Sequence, residues 1–295
     1  MNGIKLIIDK ENDGLKIKSA LRKSERVSSR LIRKVLHTSG ALFLNGQEAR
    51  FVDIAHVGDV IELVFPEEIS DFEPQDIPLD VIFEDEDILL VNKKPDLVCH
   101  PTKGHSDMTL ANGVMKHMLD GSESYKIRFI NRLDMNTSGL VLIGKNAHAQ
   151  TVFTAESKTG EVSKEYKALV KGRLEGEALI DLPITLECEG AVRRCVREGG
   201  YPSQTHYKAV RTYEIDGEVF TLLDIKLLTG RTHQIRVHLS HLGYPVLGDT
   251  LYGGESPLID RQALHAFSLS FNHPKSGEPV RFWAELPKDM ERLID

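Results

Sequence analysis

An acidic stretch at residues 66–90 divides this chain of 295 residues and limits how it can fold. Ten carboxylates in it are not offset by any Lys or Arg, and three prolines interrupt it. Prolines and like charges both favour an extended segment over a packed one. We therefore predict a domain boundary here, with a small unit at residues 1–65, a linker at 66–80 and a larger domain at 81–295.

The composition indicates a folded, soluble protein, with 41% hydrophobic and 27% charged residues. The longest apolar runs are far shorter than the ~20 residues that cross a bilayer, and the N-terminus lacks the features of a signal peptide. Three cysteines without a C-x-x-C pair favour neither a disulfide framework nor a zinc ribbon. We expect a cytoplasmic protein.

Basic residues are concentrated in the small unit at residues 16–34, where only one acid interrupts them. The pattern predicts a helix at about 28–36, followed by a strand at 41–44, an Asn-Gly turn and a strand at 60–64. The helix would present three cations, which are Arg30, Arg33 and Lys34. A solvated helix face is the ordinary interpretation, whereas a compact basic unit of this size also suits RNA binding.

The larger domain alternates short strands and helices without regular βαβ units, which predicts an α+β fold with a mainly antiparallel sheet. Helices are predicted at 109–118, 146–157 and 232–241. Strands are predicted at 87–91, 125–130, 140–143, 165–170, 204–211 and 220–227.

Several common site motifs are absent from the sequence. It contains no dinucleotide-binding glycine fingerprint, no P-loop and no nucleophile elbow. The twelve histidines do not form a metal-binding spacing, so we expect neither a cofactor nor a metal.

Residues 131–140, Asn-Arg-Leu-Asp-Met-Asn-Thr-Ser-Gly-Leu, place Asp134 in a polar turn between two apolar strands. Such an aspartate is usually a cap for the turn. A partly desolvated aspartate beside cations can instead act as a nucleophile or a base.

A second group of polar residues lies at 229–238, Thr-Gly-Arg-Thr-His-Gln-Ile-Arg-Val-His. Helical spacing places Thr232, Arg236 and Leu239 on one face, so Arg236 can point inward. A buried arginine needs a carboxylate partner, for which Asp134 is a candidate. A structural ion pair or a surface helix start is the competing interpretation.

Residues 131–140 resemble the H-R-L-D-x-x-T-S-G-L signature of the RluA-type pseudouridine synthases. Four further blocks resemble that family in the same order, at 91–101, 164–170, 230–249 and 264–274. The small unit resembles the alpha-L RNA-binding module, which also occurs in a ribosomal protein. One position departs from the pattern, because Asn131 replaces the histidine of the family and cannot carry a charge.

The resemblance implies an isomerase that detaches uracil from its ribose, turns it and rejoins it through carbon 5, without a cofactor. Asp134 would be the catalytic carboxylate, either attacking the sugar or assisting proton removal. Arg236 would lie beside it and favour its charged form, with Arg231 as the second choice. Tyr166 would pack against the base and accept the carbon 5 proton.

The resemblance also implies an RNA substrate whose target uridine leaves its stack. Arg132 would fill or brace the vacated space, and Arg30, Arg33 and Lys34 would contact phosphates. Ribosomal RNA is favoured over transfer RNA, and a monomer is expected to suffice. The alternatives are a non-catalytic RNA-binding platform and, with weaker support, a metal-dependent hydrolase.

Overall fold

The computed structural model describes residues 3–24, 32, 41–64, 70–102 and 104–295. The strands in these residues are β1 (Gly3–Ile7), β2 (Leu15–Lys16), β3 (Leu42–Leu44), β4 (Gln47–Glu48), β5 (Ile54–Ala55), β6 (Val60–Val64), β7 (Val81–Glu84), β8 (Ile88–Lys93), β9 (Arg128–Phe129), β10 (Ser138–Gly144), β11 (Ser163–Lys171), β12 (Glu177–Asp181), β13 (Ile184–Leu186), β14 (Arg194–Val196), β15 (Gln204–Ile215), β16 (Glu218–Leu227), β17 (Leu264–Asn272) and β18 (Pro279–Trp283). The helices are α1 (Ile17–Lys23), α2 (Leu110–Asp120), α3 (Ala147–Thr159), α4 (Gln234–His241) and α5 (Lys288–Glu291).

The N-terminal part forms an antiparallel sheet in the order β1-β6-β3-β4, with β2 and β5 paired beside it. Helix α1, which the sequence pattern did not predict, buries Ile17 and Leu21 in the core of this part. The predicted turn is present, because Asn45 and Gly46 both have positive φ. The predicted helix at 28–36 lies outside the described residues except for Ile32, which is buried in the same core.

The larger sheet has the order β12-β15-β16-β11-β17-β10-β8-β7, with β18 on β17 and β9 on β10. Every described pair in it is antiparallel except β10 with β17. The predicted α+β class with a mainly antiparallel sheet is confirmed. No helix of the described residues has the length and apolar composition needed to cross a membrane.

Two predicted elements of the larger domain are shorter than expected. The strand predicted at 125–130 is only β9, because Ser70 accepts a hydrogen bond from the amide of Ile127 and donates its own amide to Tyr125. The helix predicted from Thr232 begins at Gln234 instead. His233 has a left-handed backbone, with φ of 58°, which cannot continue into a right-handed helix.

The described part of the predicted linker, residues 70–80, contains no helix or strand, whereas the rest of the acidic stretch contains β7 and the start of β8. It is nevertheless fixed to the larger domain, since the Asn112 side chain donates to the Glu73 carbonyl and accepts from the Thr109 amide. Asn92 on β8 also donates to the carboxylate of Asp80 at 2.9 Å. The division into 1–65, 66–80 and 81–295 stays a prediction.

One row of residues across the larger sheet determines where the site lies. Lys93 on β8 pairs with Gly139 on β10, Gly139 with Ala266 on β17, and Ala266 with Tyr166 on β11. Gly139 has φ of +111°, and a Cβ there would lie 2.3 Å from the Ala266 carbonyl oxygen. A glycine and an alanine therefore lie between Tyr166 and the start of β10. The loop that precedes β10 contains Asp134.

Candidate active site

Asp134 and Arg236, 102 positions apart in sequence, form an ion pair at the centre of the candidate site. The Nη1 of Arg236 donates to Oδ2 of Asp134 at 2.8 Å. The turn itself is closed by backbone atoms, with the Thr137 amide donating to the Asp134 carbonyl. The Asp134 carboxylate is therefore directed at the arginine, and the predicted contact between these two residues is confirmed.

Asp249 holds the other side of the same guanidinium. Its carboxylate accepts from Nε of Arg236 at 2.6 Å and from Nη2 at 2.9 Å, which is a bidentate arrangement. Burial lowers the pKa of Arg236, but the hydrogen bonds and charges of Asp249 and Asp134 outweigh this effect and raise the pKa overall. Arg236 is thus a permanent cation shared by two carboxylates.

The two carboxylates differ in their access to solvent. The Asp134 side chain is 27% exposed, whereas the Asp249 side chain is 0% exposed. Asp249 also accepts from the backbone amides of Leu251 and Tyr252, so its oxygens are occupied. Only Asp134 can therefore meet a bound molecule.

His233 is a further neighbour of Asp134, with Nε2 lying 3.9 Å from Oδ2. Its Nδ1 lies 2.9 Å from the Tyr252 hydroxyl, which accepts from the Arg194 amide. A hydroxyl that already accepts can donate its proton to Nδ1, which places the proton of a neutral imidazole on Nε2, facing Asp134. Burial lowers the pKa of His233 more than the charge of Asp134 raises it, so this histidine is neutral at pH 7.

Tyr166 is buried on β11 and lines the same cavity as Asp134. The pairing of β11 with β17 is irregular between Glu165 and Tyr166, and such irregularities change where a side chain points. Burial, followed by the negative charge of Asp134, raises the pKa of the Tyr166 phenol. Its hydroxyl therefore stays protonated at neutral pH.

Lys93 holds the Asp134 loop through hydrogen bonds, and the sequence analysis did not single it out. Its Nζ donates at 2.8 Å to each of three carbonyls, those of Lys94, Leu97 and Met135. Burial lowers its pKa to about 8. Lysine is almost always exposed, so the sequence pattern gave no reason to place this one inside.

Asn131, which departs from the family pattern, is also bound to the backbone. Its Nδ2 donates to the Leu140 carbonyl at 2.9 Å and its Oδ1 accepts from the Leu142 amide at 2.7 Å. Both halves of the amide are used to hold the site loop against β10. A neutral amide is sufficient for this role.

The residues predicted to contact RNA are not all at the candidate site. Arg132 is exposed at the wall of the cavity. Arg231 is exposed as well, with its guanidinium 5.6 Å from the Tyr201 ring and Nε donating to the Pro202 carbonyl, so Arg236 rather than Arg231 is the partner of Asp134. The other three residues lie outside the described part of the chain, and these are Arg30, Arg33 and Lys34.

These side chains surround a cavity of about 760 Å³. It is lined by Asp134, Tyr166, Arg236, Arg132 and Arg231 among others, and Asp134 is the only carboxylate in its described lining. A single carboxylate among cations, with an apolar and aromatic wall, suits a polar ring attached to a phosphate-bearing chain. In the described part of the chain no three His, Cys, Asp or Glu residues are grouped so that they could hold a metal ion.

Sequence comparison places residues 87–241 in the family described as RNA pseudouridylate synthase. The uncharacterised RNA pseudouridine synthase YjbO of Bacillus subtilis is 37% identical over 271 residues, which are 91% of this chain and 94% of that protein. Ribosomal large subunit pseudouridine synthase D of Escherichia coli is 38% identical over 243 residues, covering 78% of this chain and 73% of the relative.

A solved structure, that of human RNA pseudouridylate synthase domain containing 1, has the same fold with a TM-score of 0.59 and 30% sequence identity. The match covers 74% of this chain and 86% of the human chain. The range that matches the family, residues 87–241, contains Asp134, Tyr166 and Arg236. The similarity to the Bacillus subtilis relative also extends over more than nine-tenths of both chains. This chain belongs to the RNA pseudouridylate synthase family of isomerases.

Proposed function

We propose that this protein converts specific uridines of structured RNA, most of all ribosomal RNA, into pseudouridine. The observation that carries the proposal is the shared arginine, because Arg236 orients one accessible carboxylate, Asp134, toward a cavity also lined by Tyr166. Ribosomal RNA is favoured because the Escherichia coli relative is named for the large ribosomal subunit. Transfer RNA is the alternative substrate.

The reaction exchanges one glycosidic bond for another within the same nucleotide. The bond between N1 of uracil and C1′ of ribose breaks, the base turns, and a bond between C5 and C1′ forms. The proton on C5 leaves to solvent and N1 regains one, so atoms and electrons balance without a cofactor. The exposed oxygen of Asp134 would act at this step, either as a nucleophile on the sugar or as a base.

The surrounding residues would keep Asp134 ready for this step. Arg236 stabilises the charged carboxylate, and neutral His233 offers it an N–H from 3.9 Å without competing as a second cation. Tyr166 would lie against the flipped uracil. Since its phenol is protonated at neutral pH, packing is the favoured role and acceptance of the C5 proton is the alternative.

RNA would reach the cavity through its exposed cationic wall. Extrusion of the uridine costs a few kcal/mol, and Arg132, which lines the cavity, would occupy the space that the base leaves. The basic residues Arg30, Arg33 and Lys34 would add phosphate contacts, consistent with an N-terminal RNA-binding module. A monomer with cytoplasmic residence is part of the same proposal.

The test is the release of tritium from carbon 5 of labelled uridine, without added cofactor, in ribosomal RNA from cells that lack this protein. Transfer RNA from the same cells runs in parallel. Wild type should turn over many times and Asp134→Asn should not, although both bind RNA. Equal release by the two proteins would overturn the role of Asp134, and binding without release from either RNA would favour the non-catalytic platform.

A further inference from the structure

A second cavity of about 510 Å³ adjoins the candidate active site. It lies between helix α3 and the ends of β11 and β16. The two cavities share five lining residues, which are Phe129, Ile130, Lys164, Leu227 and Gly230. A chain that enters the active site can therefore continue into the second cavity without leaving the surface of the protein.

The second cavity is positively charged, although the protein as a whole has a net charge of −7. Lys158 at the end of α3, Lys164 on β11 and Lys226 on β16 line it, and its described lining contains no Asp or Glu. We call this cavity the lysine groove.

The three lysines have no carboxylate partner among the described residues, whereas other lysines on the same strand do. Lys167 on β11 binds Asp224 at 2.5 Å, and Lys171 lies 3.8 Å from Glu218. The three lysines of the groove are thus outside the ion pairs of the described residues, and Glu165, which lies opposite Lys226 in the register of β11 and β16, is paired with Arg281 instead.

The acids nearest in sequence to these lysines are directed elsewhere. Glu165, beside Lys164, accepts from Arg281 at 2.6 Å. Glu156 and Glu161, on either side of Lys158, accept from the backbone and the side chain of Asn272. Burial also lowers the pKa of Lys164, which shows that its environment does not favour a lone cation. An anion from outside the protein would relieve this cost.

The remaining walls suit a nucleic acid more than a small anion. Phe129 lines both cavities, and apolar residues Val162, Leu227 and Leu228 continue beyond it. Aromatic and apolar surfaces bind the faces of unpaired bases, while lysines bind the phosphates between them. Thr154 and Ser157 add hydroxyl groups along the α3 side.

We propose that the lysine groove binds the single-stranded RNA next to the target uridine, with its phosphates at Lys158, Lys164 and Lys226 and a base against Phe129. The inference rests on the proposed function, because the strand is the one whose uridine occupies the active site. A single strand is favoured here, because extrusion of the uridine costs least where the RNA is already unpaired.

The test compares two variants with the same loss of charge. Lys158→Gln/Lys226→Gln removes two lysines of the groove, and Lys164 is left intact because it also lines the active site. Lys116→Gln/Lys275→Gln is the control, since these exposed lysines bind Asp120 and Glu86 outside the groove. Thermal unfolding checks that all proteins are folded.

Binding of a fluorescent oligouridylate is measured over a series of KCl concentrations. Each lost contact with a single strand lowers the slope of log affinity against log salt by about 0.7, so the groove variant should lose about 1.4. Its affinity at low salt should fall roughly tenfold, and the control should match wild type. An unchanged slope in the groove variant would overturn the proposal.

Turnover separates this proposal from the proposed function. With ribosomal RNA as substrate, the groove variant should show a KM raised severalfold and an unchanged kcat. If wild type turns over and the groove variant has the same KM as wild type, the groove proposal is overturned while the isomerase proposal stands. If wild type shows no turnover, the proposed isomerase activity is overturned. The salt dependence of oligouridylate binding would still test whether the lysine groove binds RNA.

Discussion

Two loops hold opposite sides of Arg236, and they differ in what they leave open. The loop at 131–137 presents Asp134 to the cavity, and the loop at 248–254 buries Asp249 completely. A glycine stands next to each loop, with Gly139 in β10 shortly after the first and Gly248 at the start of the second, and an added Cβ at either would lie within 2.3 Å of a backbone oxygen. The same ion-pair chemistry therefore leaves one carboxylate buried and the other accessible, which fits the catalytic role proposed for Asp134.

The difference between the loops is sharpest for the two matched substitutions. Asp134→Asn should lower turnover by about 10³-fold or more, as loss of a covalent or general-base group does, and leave unfolding almost unchanged. Asp249→Asn should destabilise the fold by about 3 kcal/mol, because a buried cation loses its bidentate partner. Tritium release and thermal unfolding of both variants provide the comparison. If the two substitutions had equal effects on turnover and on unfolding, the two loops would not differ in their roles.

The next prediction tests how the Asp134 loop is anchored. Gly139→Ala should destabilise the protein by about 3 kcal/mol, because its Cβ would meet the Ala266 backbone and force β10 away from β17. Gly217→Ala is the control, since this glycine also has positive φ but nothing lies within 4 Å of an added Cβ. Urea unfolding measures the free energy of unfolding of both variants. If Gly139→Ala lost no more stability than the control, a steric anchor at Gly139 would be refuted.

The sequence was sufficient to predict part of this arrangement. Apolar runs on either side of residues 131–138 identified a polar turn between strands, and the helical spacing of Arg236 indicated an inward cation that needed a carboxylate. Both inferences use local periodicity and the cost of burying a charge, which act over a few residues. They made Asp134 a candidate partner for Arg236, and the structure shows the contact.

The other half of the arrangement depended on contacts distant in sequence. Asp249 stood in a block that resembled the family, but nothing local indicates that its loop folds back onto α4. Lys93 has a residue type that is normally exposed, and its three carbonyl partners meet only when β8 and β10 pair. The lysine groove likewise draws its cations from α3, β11 and β16, which no single segment reveals.

The contact that joins β17 to the start of β10, just after the Asp134 loop, should be sensitive to acid. His265 on β17 accepts from the Ser138 hydroxyl at the start of β10 and donates to the Ala284 carbonyl. Burial, more than the nearby charge of Arg261, lowers the pKa of His265 to about 4 from 6.5. The unfolded chain therefore binds a proton between these values and the folded chain does not, so stability falls as the pH falls from 6.5 to 4, by up to about 3 kcal/mol.

Urea unfolding at several pH values measures this loss. His265→Gln should be less stable at pH 7 but show a flatter decline toward pH 4, while exposed His241→Gln should retain the slope of wild type. A slope that is unchanged in His265→Gln would assign the acid sensitivity to another group.

The smallest effect is expected at Tyr166, which lines the same cavity as Asp134. Burial and the charge of Asp134 raise the pKa of its phenol, so the hydroxyl is a poor base at neutral pH and the ring is the useful part. Tyr166→Phe should therefore keep kcat within about tenfold, and Tyr166→Leu should lose more. Tyr207→Phe, a buried tyrosine outside the described lining of the cavity, is the control. A loss of about 10² or more in Tyr166→Phe alone would instead indicate proton transfer by the hydroxyl, because general acid–base groups contribute that much.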